Sequence, residues 1–191
     1  GSIAVLKGNL APGSAIIKQS AASEELLTHE GIVEVFDNLE DLANRIDSDD
    51  LNVTKDSILL LKNIGPIGAP GMPEAGLIPI PKKLAKQGVK DMVRISDGRM
   101  SGTAAGTIIL HVCPEAAAGG TLDIVESGDI IKLDVNKRLL ELKLSDEEIS
   151  TRKKSKKSNT EIKRRGYDKI FHESVLQADK GADFDFLRPV K

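Results

Sequence analysis

The sequence predicts a mixed β/α fold, a β-barrel-like sheet flanked by crossover helices, and three observations carry that expectation. Apolar runs of strand length recur along the 191 residues, cut by Gly- and Pro-rich turns. Helix-period stretches lie between the earlier runs, which argues for crossovers. After residue 120 the apolar runs follow one another with no helix between them, so neither a regular β/α alternation nor a pure sandwich fits.

Taken in order, residues 3–6, 15–18 and 31–36 read as strands, separated by Gly8-Asn9, Pro12-Gly13 and a polar stretch. Within that stretch Ser23 is placed to cap a short helix over Ser23-Glu24-Glu25-Leu26-Leu27, with acids in its first turn. Leu39, Leu42, Ala43 and Ile46 fall at helical spacing, which predicts an amphipathic helix over residues 38–46 with these four side chains buried. Ser57-Ile58-Leu59-Leu60-Leu61-Lys62 is a continuous apolar run of the kind buried on both faces. Residues 65–76 are too rich in Gly and Pro for helix or interior strand and predict a structured loop.

Residues 81–88 have Pro near a helix start and Gly past its end. Strands are predicted over residues 92–96, 107–113, 122–125, 130–135 and 139–144, where Ile131, Leu133 and Val135 alternate with Lys132 and Asp134. Ser145-Asp146-Glu147-Glu148 has capping-box spacing and opens a helix. The charge run from Arg152 to Lys157 reads as a solvated helix face or loop. The tail, residues 167–187, ends in Asp183-Phe184-Asp185-Phe186-Leu187, and its two Phe predict docking on the body or on a partner. Residues 1–150 are assigned to the barrel and residues 151–191 to a charged helix and docking tail of the same domain.

Composition removes several function classes. A net charge of −2, one Tyr, four Phe and no Trp leave neither a strongly basic surface nor many stacking platforms for nucleic acid. Cys113 is the only cysteine, which excludes an intramolecular disulfide and a self-contained cysteine-ligated metal or iron–sulfur site. No run approaches the roughly 20 apolar residues of a membrane span. The start Gly1-Ser2 is neither a signal peptide nor an initiating Met, and reads as a cloning scar ahead of an intracellular, cytoplasmic fragment.

The loop Ser96-Asp97-Gly98-Arg99-Met100-Ser101-Gly102-Thr103 sets Ser101 between two glycines directly after a strand. Glycines allow close backbone approach and leave N–H groups free for a developing anion. Ser101 is read as a base or nucleophile, or as a hydroxyl that caps a turn. Glu74, with no local cationic partner on its loop, is read as a ligand for a hard cation such as Mg²⁺, or as a surface acid or cap. His111, in an apolar strand, is expected to be a satisfied core histidine and Cys113 a small core residue, whereas His29 and His172 are expected at the surface. The spacing of Gly98, Gly102 and Gly106 matches neither a dinucleotide fingerprint nor a phosphate loop.

Three segments, Gly65-Pro66-Ile67-Gly68-Ala69-Pro70-Gly71-Met72-Pro73-Glu74, the Ser101 loop and His111-Val112-Cys113-Pro114-Glu115-Ala116-Ala117-Ala118-Gly119-Gly120, occur in that order. With Asn9-Leu10-Ala11-Pro12 and Ser127-Gly128-Asp129, the chain resembles the carboxy-terminal domain of the dihydroxy-acid dehydratase/phosphogluconate dehydratase family. That resemblance implies a swivelling β/β/α barrel similar to the one in the aconitase superfamily. For the whole enzyme it implies a hydro-lyase that converts a 2,3-dihydroxy carboxylic acid through an enol to a 2-keto acid. It also implies an iron–sulfur cluster whose iron binds the leaving C3 hydroxyl, and a Mg²⁺ that holds the substrate carboxylate and C2 hydroxyl. By the same resemblance Ser101 is the base in alkoxide form, Thr103 touches substrate and Glu74 reaches the Mg²⁺.

The family's cluster cysteines and most Mg²⁺ ligands belong to an amino-terminal domain that this chain lacks. The fragment is therefore expected to fold without being active, and the full-length protein to form a homo-oligomer. Arg94-Ile95-Ser96-Asp97, Val175-Leu176-Gln177-Ala178-Asp179 and the closing Phe-containing tail look closer to the sugar-acid, pentonate-type branch than to the branched-chain amino-acid branch. Met100 stands where that second branch more often has Phe, while Gly98 is shared with it. A non-enzymatic binding or assembly module on the same barrel is the rival reading.

Overall fold

The computed structural model describes residues 2–156 and 164–188. Its strands are β1 (Ala4–Leu6), β2 (Ser14–Ile17), β3 (Thr28–Phe36), β4 (Ile58–Leu61), β5 (Arg94–Ser96), β6 (Ile108–Cys113), β7 (Ile130–Asp134) and β8 (Leu139–Leu142). Its helices are α1 (Leu39–Arg45), α2 (Lys82–Lys86), α3 (Asp146–Ser155) and α4 (Gly166–Ser174). The strands form one sheet in the order β1-β2-β6-β5-β4-β3-β7-β8. Pairing is parallel from β3 through β4 and β5 to β6 and antiparallel elsewhere.

The two outer strands meet. Lys7, just past β1, donates its N–H to Arg138 O and accepts from Leu140 N–H, both at 2.9 Å. Asn9 extends the seam with its side chain, which mimics a strand: Nδ2 donates to Leu142 O at 2.8 Å and Oδ1 accepts Leu142 N–H at 2.7 Å. The sheet is thereby nearly closed, as the barrel-like expectation requires, and its edges are satisfied.

β4 explains why a continuous apolar run was needed at the centre. Ile58 and Leu60 face the barrel interior with Val33, Val93, Ile95, Ile131, Leu133 and Leu140. Leu59 and Leu61 face outward into a second cluster with Phe36, Leu42, Ile46, Leu84 and Met92, under α1 and α2. A strand covered on both faces has no polar side.

Local structure departs from the sequence reading in four places. Residues 23–27 hold a 3-10 turn over Glu24–Leu26 without a side-chain cap, because Ser23 Oγ donates to Asp91 Oδ2 at 2.8 Å instead. Residues 122–125 form a 3-10 turn, Thr121–Ile124, rather than a strand. In α1 only Leu42 and Ile46 of the four expected residues are buried, and Leu39 is 40% exposed. Arg45 takes the covering role, donating to Val35 O and lying 5.1 Å over the Phe36 ring. The charge run is only partly solvated: Arg152 is clamped to Asp129 at 2.7 and 3.0 Å, and Lys156 pairs with Asp123, while Lys157 lies outside the described residues.

The Ser145 cap is present, its Oγ accepting Glu148 N–H at 3.1 Å. The C-terminal segment docks on the body through polar contacts near β6, with Phe184 stacked on Phe186 and edge-on to Phe171. Phe186 itself stays 63% exposed. Among the described residues no helix is long and apolar enough to cross a membrane.

Candidate active site

Parallel strands aligned in register deliver their exits to one end of a sheet, where ligands of such sheets bind. Here the exits of β4, β5 and β6 lead into residues 63–76, 97–106 and 114–120, three segments that each carry several Gly or Pro. The sequence-predicted residues lie on the first two.

The β5 exit is tied down at its root and open at its tip. His111 N–H donates to Gly98 O at 3.1 Å, and Gly98 N–H donates to Ser96 Oγ at 2.9 Å. Beyond that root Ser101, Gly102 and Thr103 are exposed. The Ser101 and Thr103 hydroxyls stand 3.0 Å apart, and Lys18 Nζ, from the segment after β2, donates to Gly102 O at 2.6 Å. The predicted base and the predicted substrate contact therefore touch, beside the Lys18 ammonium group, to which the sequence assigned no role. Lys18 reaches this loop across 84 residues of chain, and no local pattern announces such a contact.

Glu74 is corrected. Its carboxylate, 51% exposed, accepts Arg99 Nη1 at 2.6 Å, so it does have a cationic partner. Arg99 also donates Nε to Met72 O at 2.6 Å and accepts Gly76 N–H on its carbonyl at 2.7 Å. Those three contacts stitch the Glu74 loop to the residue two before Ser101. The pairing was invisible along the chain because the partner sits 25 residues away.

His111 is corrected too. It is half-buried rather than core, at a bulge where β6 slips against β2, and has φ 54°. A bulge re-aims a side chain, and this one lines a cavity of about 320 Å³ with Met72, Arg99, Phe171 and Val175. Burial, and then the Arg99 charge, hold its imidazole below the usual histidine range, so it is neutral at pH 7. His172 is not at the surface: its side chain is 8% exposed, with Nε2 3.3 Å from Asp168 Oδ1. His29 is half-buried, Nε2 2.9 Å from Asp56 O. Cys113 is a buried residue as expected, and its Sγ donates to Asp179 Oδ1 at 3.2 Å. Burial, reinforced by Asp179, pushes its thiol up to about 11.

Two buried acids, Asp97 and Glu115, are further residues that sequence reasoning passed over. Both stand at strand ends beside residues that were noticed. Burial pushes the Asp97 carboxyl up to about 6 from 3.8, against the pull of N–H bonds from Ile64 and Ala116. Between those two values the folded state holds more protons than the unfolded state, so stability falls as pH rises from roughly 4 to 6. Asp97→Asn is expected to remove that slope, on the order of 3 kcal/mol across the window. Urea unfolding of both chains over a pH series reads it, and an equal slope in the variant would rule out a raised Asp97 pKa.

As for metals, the described residues contain no group of three His, Cys, Asp or Glu placed to hold an ion. Cys113, protonated and bonded to Asp179, does not fit a cluster ligand. Glu74, exposed and held by one arginine, fits as a single oxygen ligand to a hard cation.

Comparison with known proteins shows the family. Residues 1–182 match the family model described as dihydroxy-acid/6-phosphogluconate dehydratase C-terminal. An L-arabinonate dehydratase of Rhizobium leguminosarum bv. trifolii is 48% identical over 188 residues, covering 98% of this chain and 32% of its own length. A 6-deoxy-6-sulfo-D-gluconate dehydratase of Pseudomonas putida is 48% identical over 187 residues, with 98% and 32% covered. A dihydroxy-acid dehydratase of Archaeoglobus fulgidus is 42% identical over 183 residues, with 95% and 32% covered. The chain thus spans about a third of the length of the curated relatives it matches. It belongs to the dihydroxy-acid/6-phosphogluconate dehydratase family and corresponds to that family's C-terminal domain.

Proposed function

We propose that the full-length protein containing this domain is a hydro-lyase that turns a 2,3-dihydroxy carboxylic acid into a 2-keto acid, with Ser101 removing the C2 proton. The C3 hydroxyl leaves as water, and the resulting enol tautomerises to the ketone. The observation that carries the reading is the Ser101–Thr103 hydroxyl pair at 3.0 Å, exposed at a parallel-strand exit beside Lys18 and the Arg99–Glu74 pair.

A serine hydroxyl is a weak base unless its anion is stabilised. The Lys18 ammonium on Gly102 O and the Thr103 hydroxyl are the groups this chain provides for that purpose. Thr103 then orients substrate, and Glu74 is the residue of this chain that would hold a hard cation, which would supply Lewis acidity at the substrate's oxygens. When bound, an iron–sulfur cluster and Mg²⁺ supply Lewis acidity toward the C3 hydroxyl and the substrate oxygens. Cluster ligands and most Mg²⁺ ligands come from an amino-terminal domain packed over this face, in a cytoplasmic homo-oligomer. The domain alone is accordingly without turnover. The dehydratase names of the relatives favour this reading over a bare assembly module.

For substrate, the sugar-acid type is supported by the 48% identity to an L-arabinonate dehydratase against 42% to a dihydroxy-acid dehydratase. The test is 2-keto acid formation by full-length enzyme on a panel of pentonates and on 2,3-dihydroxy-isovalerate. A kcat/KM about tenfold or more in favour of one pentonate is expected. A preference for the branched acid reverses the substrate assignment, and no keto acid from any of them removes the dehydratase reading.

A further inference from the structure

Two carboxylates outside the chemistry just described hold the loops that carry it. Asp97, fully buried at the end of β5, accepts Ile64 N–H on Oδ1 at 3.0 Å and, on Oδ2, Asn63 N–H at 3.2 Å and Ala116 N–H at 3.0 Å. Glu115, buried just past β6, accepts Ile67 N–H on Oε1 and Gly68 N–H on Oε2, both at 2.9 Å. Gln177, from the C-terminal segment, closes the pair from outside. Its Nε2 donates to Glu115 Oε1 at 2.7 Å, and its Oε1 accepts Glu115 N–H at 2.8 Å.

All but one of the five backbone donors belong to residues 63–68, the segment that runs on to Glu74. Asp97 itself stands four residues before Ser101. We infer that Asp97 and Glu115 are positioning residues, which together fix residues 63–68, and through them Glu74, against the β5 exit that presents Ser101.

Two features separate this arrangement from ordinary loop satisfaction. Burying a carboxylate is costly unless its oxygens are bonded, and a carboxamide of the same shape offers one acceptor oxygen and turns an NH₂ toward N–H donors. Both positions nevertheless hold acids. The backbone is also drawn in as far as it will go: a Cβ on Gly65 would stand 2.6 Å from Glu115 Oε2, and Asn63 is held at φ 60°. Asn takes the left-handed conformation more readily than other non-glycine residues, and two hydrogen bonds hold it there. Its N–H donates to Asp97, and its Nδ2 donates to Asp37 O at 2.9 Å.

The inference rests on the assignment of Ser101 and Glu74 to catalysis, so the experiment tests both in full-length enzyme. Asp97→Asn and Glu115→Gln are each expected to lower kcat about 10- to 100-fold in protein that remains folded by circular dichroism and thermal melting. Because they act through the two loops, their effects should vanish on top of the residues they position. Glu115→Gln added to Glu74→Gln, and Asp97→Asn added to Ser101→Ala, should each lower turnover by less than about twofold more. Additive losses, or normal kcat with only a lowered melting temperature, overturn the inference. If Ser101→Ala and Glu74→Gln themselves keep full turnover, the site assignment has failed instead. Should a carboxamide variant not accumulate, Asp97→Glu and Glu115→Asp, which keep the charge and move it by one methylene, enter the same cycles with the same deciding outcomes.

Discussion

Ser101→Ala in the full-length enzyme is expected to lower kcat about 10³-fold while leaving the fold untouched. The separation of these two effects follows from where the hydroxyl sits. Ser101 is exposed, its side chain bonds, among the described residues, within its own turn, to Thr103 Oγ1 at 3.0 Å and Thr103 N–H at 3.4 Å, and the loop root is held by other groups. Removing a hydroxyl there should change stability by no more than about 0.5 kcal/mol. Thr103→Val keeps the branched shape and removes the partner hydroxyl, and its cost should be smaller. Turnover near that of the parent enzyme in Ser101→Ala would remove Ser101 from the role of base, and an equal collapse of melting temperature would make it a structural residue.

What the sequence revealed and what it concealed divide along sequence distance. The strands over residues 57–62 and 107–113 were readable because an apolar run of that length needs no partner to be recognised. The Ser145 cap was readable because its donor is three residues away. Ser23 misled for the opposite reason: its local capping geometry lost to Asp91, 68 residues on, which collects Ser23 and Thr107 around one carboxylate. Residues 122–125 misled because a short apolar run does not declare its period, and here it follows Gly120 into a 3-10 turn.

The candidate site shows the same division. Ser101 and Thr103 belong to one loop and were found together. Arg99 was in the same loop, yet its grip on Glu74 depends on two strand exits lying side by side. Asp97 and Glu115 were present in the noticed motifs as letters, but their work is done on backbone N–H groups, which a sequence does not distinguish from one another. Strand topology is the missing quantity in each case, and the parallel order of β4, β5 and β6 supplies it.

The closure of the sheet yields the largest expected effect on stability. Gly8 was readable as a turn residue, but its place in the structure is against the opposite edge of the barrel. A Cβ at Gly8 would stand 1.9 Å from Leu140 O and 2.7 Å from Leu140 C, both backbone atoms of β8. No rotamer change relieves such a clash, so the seam must open. Opening it strands the Lys7 bonds to Arg138 and Leu140 and the two Asn9 bonds to Leu142. Gly8→Ala is therefore expected to destabilise the domain by about 3 kcal/mol or more. Asn9→Ala, which removes two of those bonds without a clash, should cost about 1–3 kcal/mol. Hydrogen exchange localises the damage: in Gly8→Ala the amides of Lys7, Leu140 and Leu142 should lose protection first, ahead of Leu59 and Leu60 in the doubly covered β4. If both variants melt with the parent chain, and the amides of Lys7, Leu140 and Leu142 exchange as fast in the parent as in Gly8→Ala, β1 and β8 are not joined, and the sheet is an open one whose outer strands are satisfied by water.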